Sequence, residues 1–181
     1  MKIRDVGCVL RLYPLGEHGA VICWCTRDHG IVRTAARHAL KPGSELSGVV
    51  DLFYECELVY RPSTKSDLAT LESAALLTPR LALRSSLARL QLASYMAQLI
   101  LATVEQGAEE TQWHKLISAA LDYTAEAKLS ERVLLHYEKR LAELHGLYAP
   151  GMDAQQALQR HFNRLPLGRS DLLRTLKNAQ G

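Results

Sequence analysis

The sequence predicts an α+β protein, a small five-stranded β-barrel over residues 1–78 followed by an all-α domain over residues 79–181. Three observations carry that reading. As far as Leu77 the chain is a succession of five short β-rich runs separated by turn residues. At Thr78-Pro79 the pattern changes, and apolar residues thereafter recur at helical spacing. Within that second part, the 15 residues from Leu90 to Val104 carry no charge and are apolar on nearly every side. A helix of that kind belongs in the middle of a bundle. It falls short of the ~20 apolar residues that a membrane span needs.

The first run covers residues 7–13 and ends in the turn Pro14-Leu15-Gly16-Glu17. The second, residues 20–26, is apolar and β-branched, as strands prefer. The third, residues 30–37, follows the turn signal Asp28-His29-Gly30 and alternates. Ile31, Arg33, Ala35 and Arg37 fall on one parity, Val32, Thr34 and Ala36 on the other. The fourth run, residues 48–60, is the longest. Val50, Leu52, Tyr54, Cys56, Leu58 and Tyr60 share one parity, and Asp51, Phe53, Glu55, Glu57 and Val59 the other. One side is therefore expected buried and the other wet. After a turn cluster over residues 61–66, a fifth run covers residues 68–77. One long strand among shorter ones suits a Greek-key barrel, although the strand count alone fits an SH3-like barrel equally well.

The first predicted helix takes Thr78 as its cap and Pro79 as its first residue, and runs to Gly107. A second carries Trp113, Leu116, Ile117, Ala120, Leu121 and Thr124. A third opens at Ser130, presents Leu134, Tyr137, Leu141 and Leu144, and is stopped by Gly146 and Pro150-Gly151. Helices over residues 153–165 and 170–177 complete the chain.

At 48% hydrophobic and 23% charged, the composition is that of a globular protein with no bias toward disorder. The net charge of +3 permits an anionic partner without establishing one. Cys8, Cys23, Cys25 and Cys56 form no Cys-x-x-Cys and all lie inside strand-like runs. They read as buried apolar thiols in a reducing cytoplasm, not as metal ligands or a redox pair. The start, MKIRDVG, is charged and has no secretory character, so a cytoplasmic protein with no membrane contact is expected.

Catalytic chemistry finds no support. There is no P-loop, no dinucleotide-binding glycine triplet, no HExxH and no GxSxG. Glu55 and Glu57 sit on the wet parity of a strand, and Glu109 and Glu110 open a helix, where its dipole favours them. The seven histidines show no ligand spacing, and His29 reads as a turn residue. We therefore expect no enzyme activity, no cofactor and no metal.

The informative stretch is the hairpin from Arg27 to Ser47. Between Arg27 and Lys41 four cations (Arg27, Arg33, Arg37 and Lys41) stand against one acid, Asp28, with His38 beside them. Arginines two residues apart on a strand share a face and can track a phosphate backbone. The same charges would also serve a solvated edge strand that resists aggregation. Tyr13, Trp24 and Phe53 are candidate base-stacking platforms or core residues. Arg80, Arg84 and Arg89 form a second basic set near the junction, either an extension of the nucleic-acid path or a site for an acidic peptide. A third set, Arg160, Arg164, Arg169, Arg174 and Lys177, makes the C-terminal turns basic.

The stretch GCVLRLYPLGEHGAVICWCTRDHGIVRTAARHALKPGSELSG resembles the first block of the RecO family of bacterial recombination mediators. DLFYECELVYRP with LATLESAALL is similar to the family's next two strands, TPRLALRSSLARLQLASYMAQLI to its first helix, and LLHYEKRLAELHGLYAP to a later one. The likeness covers about residues 5 to 150, and RLPLGRSDLLRTLK is loosely similar to the family's last helix. A four-cysteine zinc module that many members carry after the Gly-Tyr-Pro element has no counterpart here, so a trimmed member without metal is expected.

The resemblance implies an N-terminal OB-fold that binds single- and double-stranded DNA. It also implies annealing of complementary strands and loading of recombinase onto SSB-coated DNA together with RecR. RecF is left open as a further partner, and the acidic C-terminal tail of SSB would dock on the helical domain. Carried over by position, the DNA surface falls on Arg27, Arg33, Arg37, His38 and Lys41, extended by Arg80 and Arg84. Arg132, Arg140, Arg169 and Arg174 are the candidates for the partner site. The rival reading is a non-catalytic adaptor whose barrel no longer grips DNA.

Overall fold

The Asp28-His29-Gly30 turn forms where the sequence places it. Gly30 takes φ +63°, and the chain reverses between β2 (Gly19–Thr26) and β3 (Gly30–Ala36). The computed structural model describes residues 1–37, 39, 41–108 and 110–179. With β1 (Ile3–Leu15), β4 (Glu55–Arg61) and β5 (Leu68–Thr78), the hairpin closes a barrel in the order β1-β2-β3-β5-β4, with β4 also paired to β1. Every pairing is antiparallel except β3 with β5, which run parallel over Arg33–Ala35 and Leu68–Thr70. This is the five-stranded Greek-key order of an OB-fold, and it settles the choice against an SH3-like barrel.

The barrel fills with Ile22, Trp24 and Leu58, all fully buried. Trp24 Nε1 donates to Thr34 Oγ1 at 2.8 Å, so the indole's one polar atom is satisfied inside the core. β2 is buried along its whole length because β1 and β3 flank it. The four cysteines are all buried in strands, as their pattern predicts. Burial pushes the Cys56 thiol up to about 12 and the Cys25 thiol higher still, as inert core thiols require. Among the described residues no group of three or more His, Cys, Asp or Glu could hold a metal ion.

Several predicted boundaries move. The run expected over residues 48–60 is a strand only from Glu55. Phe53 adopts φ 68°, and residues 44–54 coil through turns such as Ser47 N–H to Ser44 O and Tyr54 N–H to Asp51 O. The longest strand is instead β1. The helix expected to begin at Pro79 begins later, as a 3-10 turn (Leu81–Ser85) followed by α1 (Leu87–Thr103). Arg80 has φ 44°, outside the right-handed helical region, because its guanidinium is drawn back into the barrel unit.

The chain forms two compact units. One is Met1–Arg80 with Val104–Lys115, the other Leu81–Thr103 with Leu116–Gly181. In the first, the segment after α1 lies along the start of β3. Gly107 N–H donates to Ile31 O at 3.2 Å, Gln106 bridges Ile31 in parallel, and Gln106 Nε2 donates to the Asp67 carbonyl at 2.7 Å. Gly30 is needed here as well as at the turn, since a Cβ would sit 2.1 Å from Ala108 O.

In the second unit α1 packs on α3 (Glu131–Leu144) and α5 (Arg169–Asn178), and α3 on α4 (Ala154–His161). The apolar-all-round α1 buries Leu92, Ala93, Met96, Leu99 and Ile100, and Tyr137 on α3 donates its hydroxyl to Met96 O at 3.0 Å. Arg89 caps α2 (Thr111–Glu126) by donating to the Thr124 carbonyl, the helix end where orphan carbonyls need donors. Asp153 caps α4 by accepting from Gln156 N–H at 2.8 Å. Among the described residues no helix is long and apolar enough to cross a membrane.

Candidate nucleic-acid interface

The outward face of β1, β2 and β3 is built by strand parity. On β3 the core takes Thr34 and Ala36, with Val32 packed partly against it. The opposite parity therefore points away, and Arg33 is exposed in the middle of the strand. Arg37, one residue beyond β3, is exposed at its end, and Lys41 in the following loop is exposed as well. His38 lies outside the described residues.

β1 adds two side chains by a route that simple alternation conceals. Its pairing with β2 runs Val9 to Trp24 and then Arg11 to Cys23, leaving Leu10 as an extra residue in a β-bulge. Val9 and Leu12 pack toward the core, while Arg11 and Tyr13 turn outward. Cys23 in turn pairs with Arg33 across β2 and β3. Arg11, Cys23 and Arg33 thus form one row across three strands, each about 4.8 Å from the next. The next row is Tyr13, Val21 and Ala35. The Cys23 thiol registers the charge of the row. Burial raises it, while Arg33 and Arg11 both draw it back down. Sequence reasoning missed Arg11. The signal was the polar Arg11-x-Tyr13 pair at the end of an otherwise apolar strand.

Among the described residues no carboxylate lies within ion-pair distance of Arg11, Arg33, Arg37 or Lys41. Arg27 stands at the opposite end of the hairpin, in the turn, and faces Asp28 at 3.3 Å with both side chains about half exposed. That turn is pinned from below by Asp5. Its buried carboxylate accepts the Asp28 N–H and the Val6 N–H and lies 2.6 Å from His29 Nδ1. His29 is a turn residue, as expected, and its ring edge meets Tyr60.

Two expected members of the surface do other work. Arg80 is buried, its side chain 1% exposed. It donates to Phe53 O at 3.0 Å and pairs with Glu55 at 2.5 Å, and Glu55 also meets His114 at 3.1 Å. A guanidinium so enclosed cannot meet a phosphate, so Arg80 is a barrel-closing residue, not a contact residue. Trp24 and Phe53 are 0% and 3% exposed, which removes both as base platforms. Arg84 is exposed in the 3-10 turn of the other unit.

The four candidates for a partner site divide similarly. Arg132 is exposed on α3, and Arg140 is exposed about two turns on, where it pairs with Glu143 at 2.6 Å. Arg174 is exposed on α5 and pairs with Asp171. Arg169 is the exception. It grips the buried Glu138 with two hydrogen bonds of 2.6 and 2.7 Å, and Tyr95 donates its hydroxyl to the same carboxylate at 3.1 Å. Burial, with Glu138 beside it, pushes the Tyr95 hydroxyl well above its usual range. Arg169 therefore fastens α5 to α3, and its charge is spent inside the unit.

What the β1–β3 face offers is a sheet surface with guanidinium groups that have no carboxylate partner among the described residues, the chemistry of phosphate neutralisation. Residues 1–80 match the family described as Recombination protein O N terminal. The chain is 26% identical over 168 residues to the DNA repair protein RecO of Bacillus pumilus, covering 90% of this chain and 64% of that protein. It is 30% identical over 148 residues to the DNA repair protein RecO of an Exiguobacterium species, covering 81% and 58%. Against the DNA repair protein RecO of Syntrophus aciditrophicus it is 29% identical over 150 residues, covering 83% and 58%. The chain thus spans less than two thirds of the length of these relatives.

Proposed function

We propose that the chain, similar over most of its length to proteins named DNA repair protein RecO, is a RecO-type protein that acts in DNA repair and recombination by holding DNA on the outer face of β1–β3. The supporting observation is the set Arg11, Arg33 and Arg37, exposed or half-exposed on one side of an OB-fold and without a carboxylate partner among the described residues. Lys41 extends the set at the loop, and Arg27 extends it at the turn once Asp28 yields to a phosphate.

The mechanism is stoichiometric. Each cation that meets a phosphate releases condensed counterions, so binding is salt-dependent and nearly indifferent to sequence. Two complementary strands neutralised against one such surface repel each other less, which favours annealing. In the full reading the protein, with RecR, helps recombinase onto SSB-coated DNA. The acidic tail of SSB then meets the helical unit, where Arg132 and Arg140 on α3 and Arg174 on α5 are the exposed cations. RecF is a further candidate partner, and no catalytic step is required of the chain.

The test is a titration of labelled single-stranded DNA into the protein and into Arg33→Glu/Arg37→Glu, at low and at moderate salt. The reading expects binding that the double substitution abolishes. Absence of binding by the unsubstituted protein leaves an adaptor that works through protein contacts alone. Pull-down with SSB lacking its acidic tail probes the helical unit separately: capture should be lost with the tail.

A further inference from the structure

We propose that Tyr13, braced by Arg11, is a stacking platform for an unpaired nucleobase and makes the β1–β3 face select single strands over duplex. The inference rests on the reading of that face as a DNA-binding surface and adds the part that reads bases.

Six aromatic side chains belong to the barrel unit, and five of them are buried: Trp24, Phe53, Tyr54, Tyr60 and Trp113. Tyr13 is the exception at 42% exposed. It stands in the row next to Arg11 and Arg33, so a strand whose phosphates meet those guanidinium groups carries its bases past the tyrosine ring. The residues that share its row, Val21 and Ala35, are short. A tyrosine beside short neighbours rises above the sheet floor instead of lying in it.

The ring is also held. Arg11 Nη1 donates to the Tyr13 hydroxyl at 2.9 Å, and its guanidinium carbon lies 5.6 Å from the ring centroid. Fixing the ring in advance removes part of the ordering cost that stacking would otherwise carry. The cation over the ring adds a positive charge beside the stacked base and its phosphate. The β-bulge at Leu10 makes the arrangement possible, since without it Arg11 and Tyr13 would take the core parity.

Specificity follows from which ligand can offer a free base face. Every base has a π-face, so stacking is indifferent to sequence. A duplex keeps its bases stacked on one another and gives Tyr13 nothing but its backbone.

The experiment compares the unsubstituted protein with Tyr13→Val and Tyr13→Trp. Valine keeps the β-propensity of the strand and removes the aromatic face. The probes are an ordinary single-stranded oligodeoxynucleotide, an abasic oligodeoxynucleotide of equal length and a duplex. The unsubstituted protein should bind the base-bearing strand on the order of ten-fold more tightly than the abasic strand. Tyr13→Val should lose that preference while binding the abasic strand and the duplex as before, and Tyr13→Trp should keep it. Equal binding of base-bearing and abasic strands by the unsubstituted protein overturns the platform while leaving the cationic surface intact. A preference that survives in Tyr13→Val overturns it too. Binding of no oligonucleotide at all removes the DNA-binding reading itself, and the platform with it.

Discussion

The cationic face makes a quantitative prediction about salt. On the β1–β3 face and the loop after it, Arg11, Arg33, Arg37 and Lys41 have no carboxylate partner among the described residues. If each neutralises one phosphate of a single strand, the logarithm of the binding constant falls with the logarithm of salt at a slope of about −2.8. A four-fold rise in salt then weakens binding about 50-fold. Replacing Arg33 and Arg37 by Gln leaves two contacts, a slope of about −1.4 and a loss of about seven-fold over the same range. Fluorescence anisotropy with a short labelled oligodeoxynucleotide, repeated at four or more salt concentrations, measures both slopes. A double variant that keeps the original slope, whatever its affinity, refutes the assignment of phosphates to these two arginines.

Further outcomes follow from the rest of the structure. Arg80→Ala leaves the largely buried Glu55 with only His114, among the described residues of the unit, as a cation-capable neighbour and should cost about 3 kcal/mol in urea unfolding, with the salt slope of DNA binding unchanged. Arg169→Ala strands Glu138, itself 1% exposed, and should lower stability by about 3 kcal/mol, partly recovered when Glu138→Gln is added. Gly30→Ala forces a Cβ against Ala108 O at a positive φ, and a stability loss of about 2 kcal/mol or more should appear as a lower melting temperature. The thiol of Cys56, near 9.0 when unfolded and about 12 in the fold, stays protonated longer in the native state. The folded state therefore binds more protons above pH 9, and stability should fall as pH rises through the interval from about 9 to about 12. Melting curves across that alkaline range check the sign.

Much of the barrel was legible because strand parity is a local property. The alternation from Ile31 to Arg37 put Thr34 and Ala36 inside and Arg33 outside, and Gly30 announced the turn. The cysteines and the apolar α1 were legible for the same reason, since burial of small or apolar residues needs no particular partner. What could not be read depends on distant partners. The bulge at Leu10 inverts the parity of Arg11 and Tyr13, and only their polar character at the end of an apolar strand hints at it. Arg80 looked like a surface cation until the carbonyl of Phe53 and the carboxylate of Glu55, each more than twenty residues away, enclosed it. Arg169 lost its apparent freedom to Glu138 in the same way. The segment Val104–Lys115, which grammar alone assigns to the helical part, folds with the barrel because its backbone pairs with Ile31.

The most direct measurement is a backbone amide NMR spectrum of the protein followed residue by residue as a short single-stranded oligodeoxynucleotide is added. Shifts should concentrate at Arg11, Tyr13, Val21, Cys23, Arg33, Ala35 and Arg37, the outward positions of three adjacent strands, and spare Arg80. Shifts confined to β4 and β5 or to the helices, with those strands silent, would place the ligand elsewhere and contradict the account.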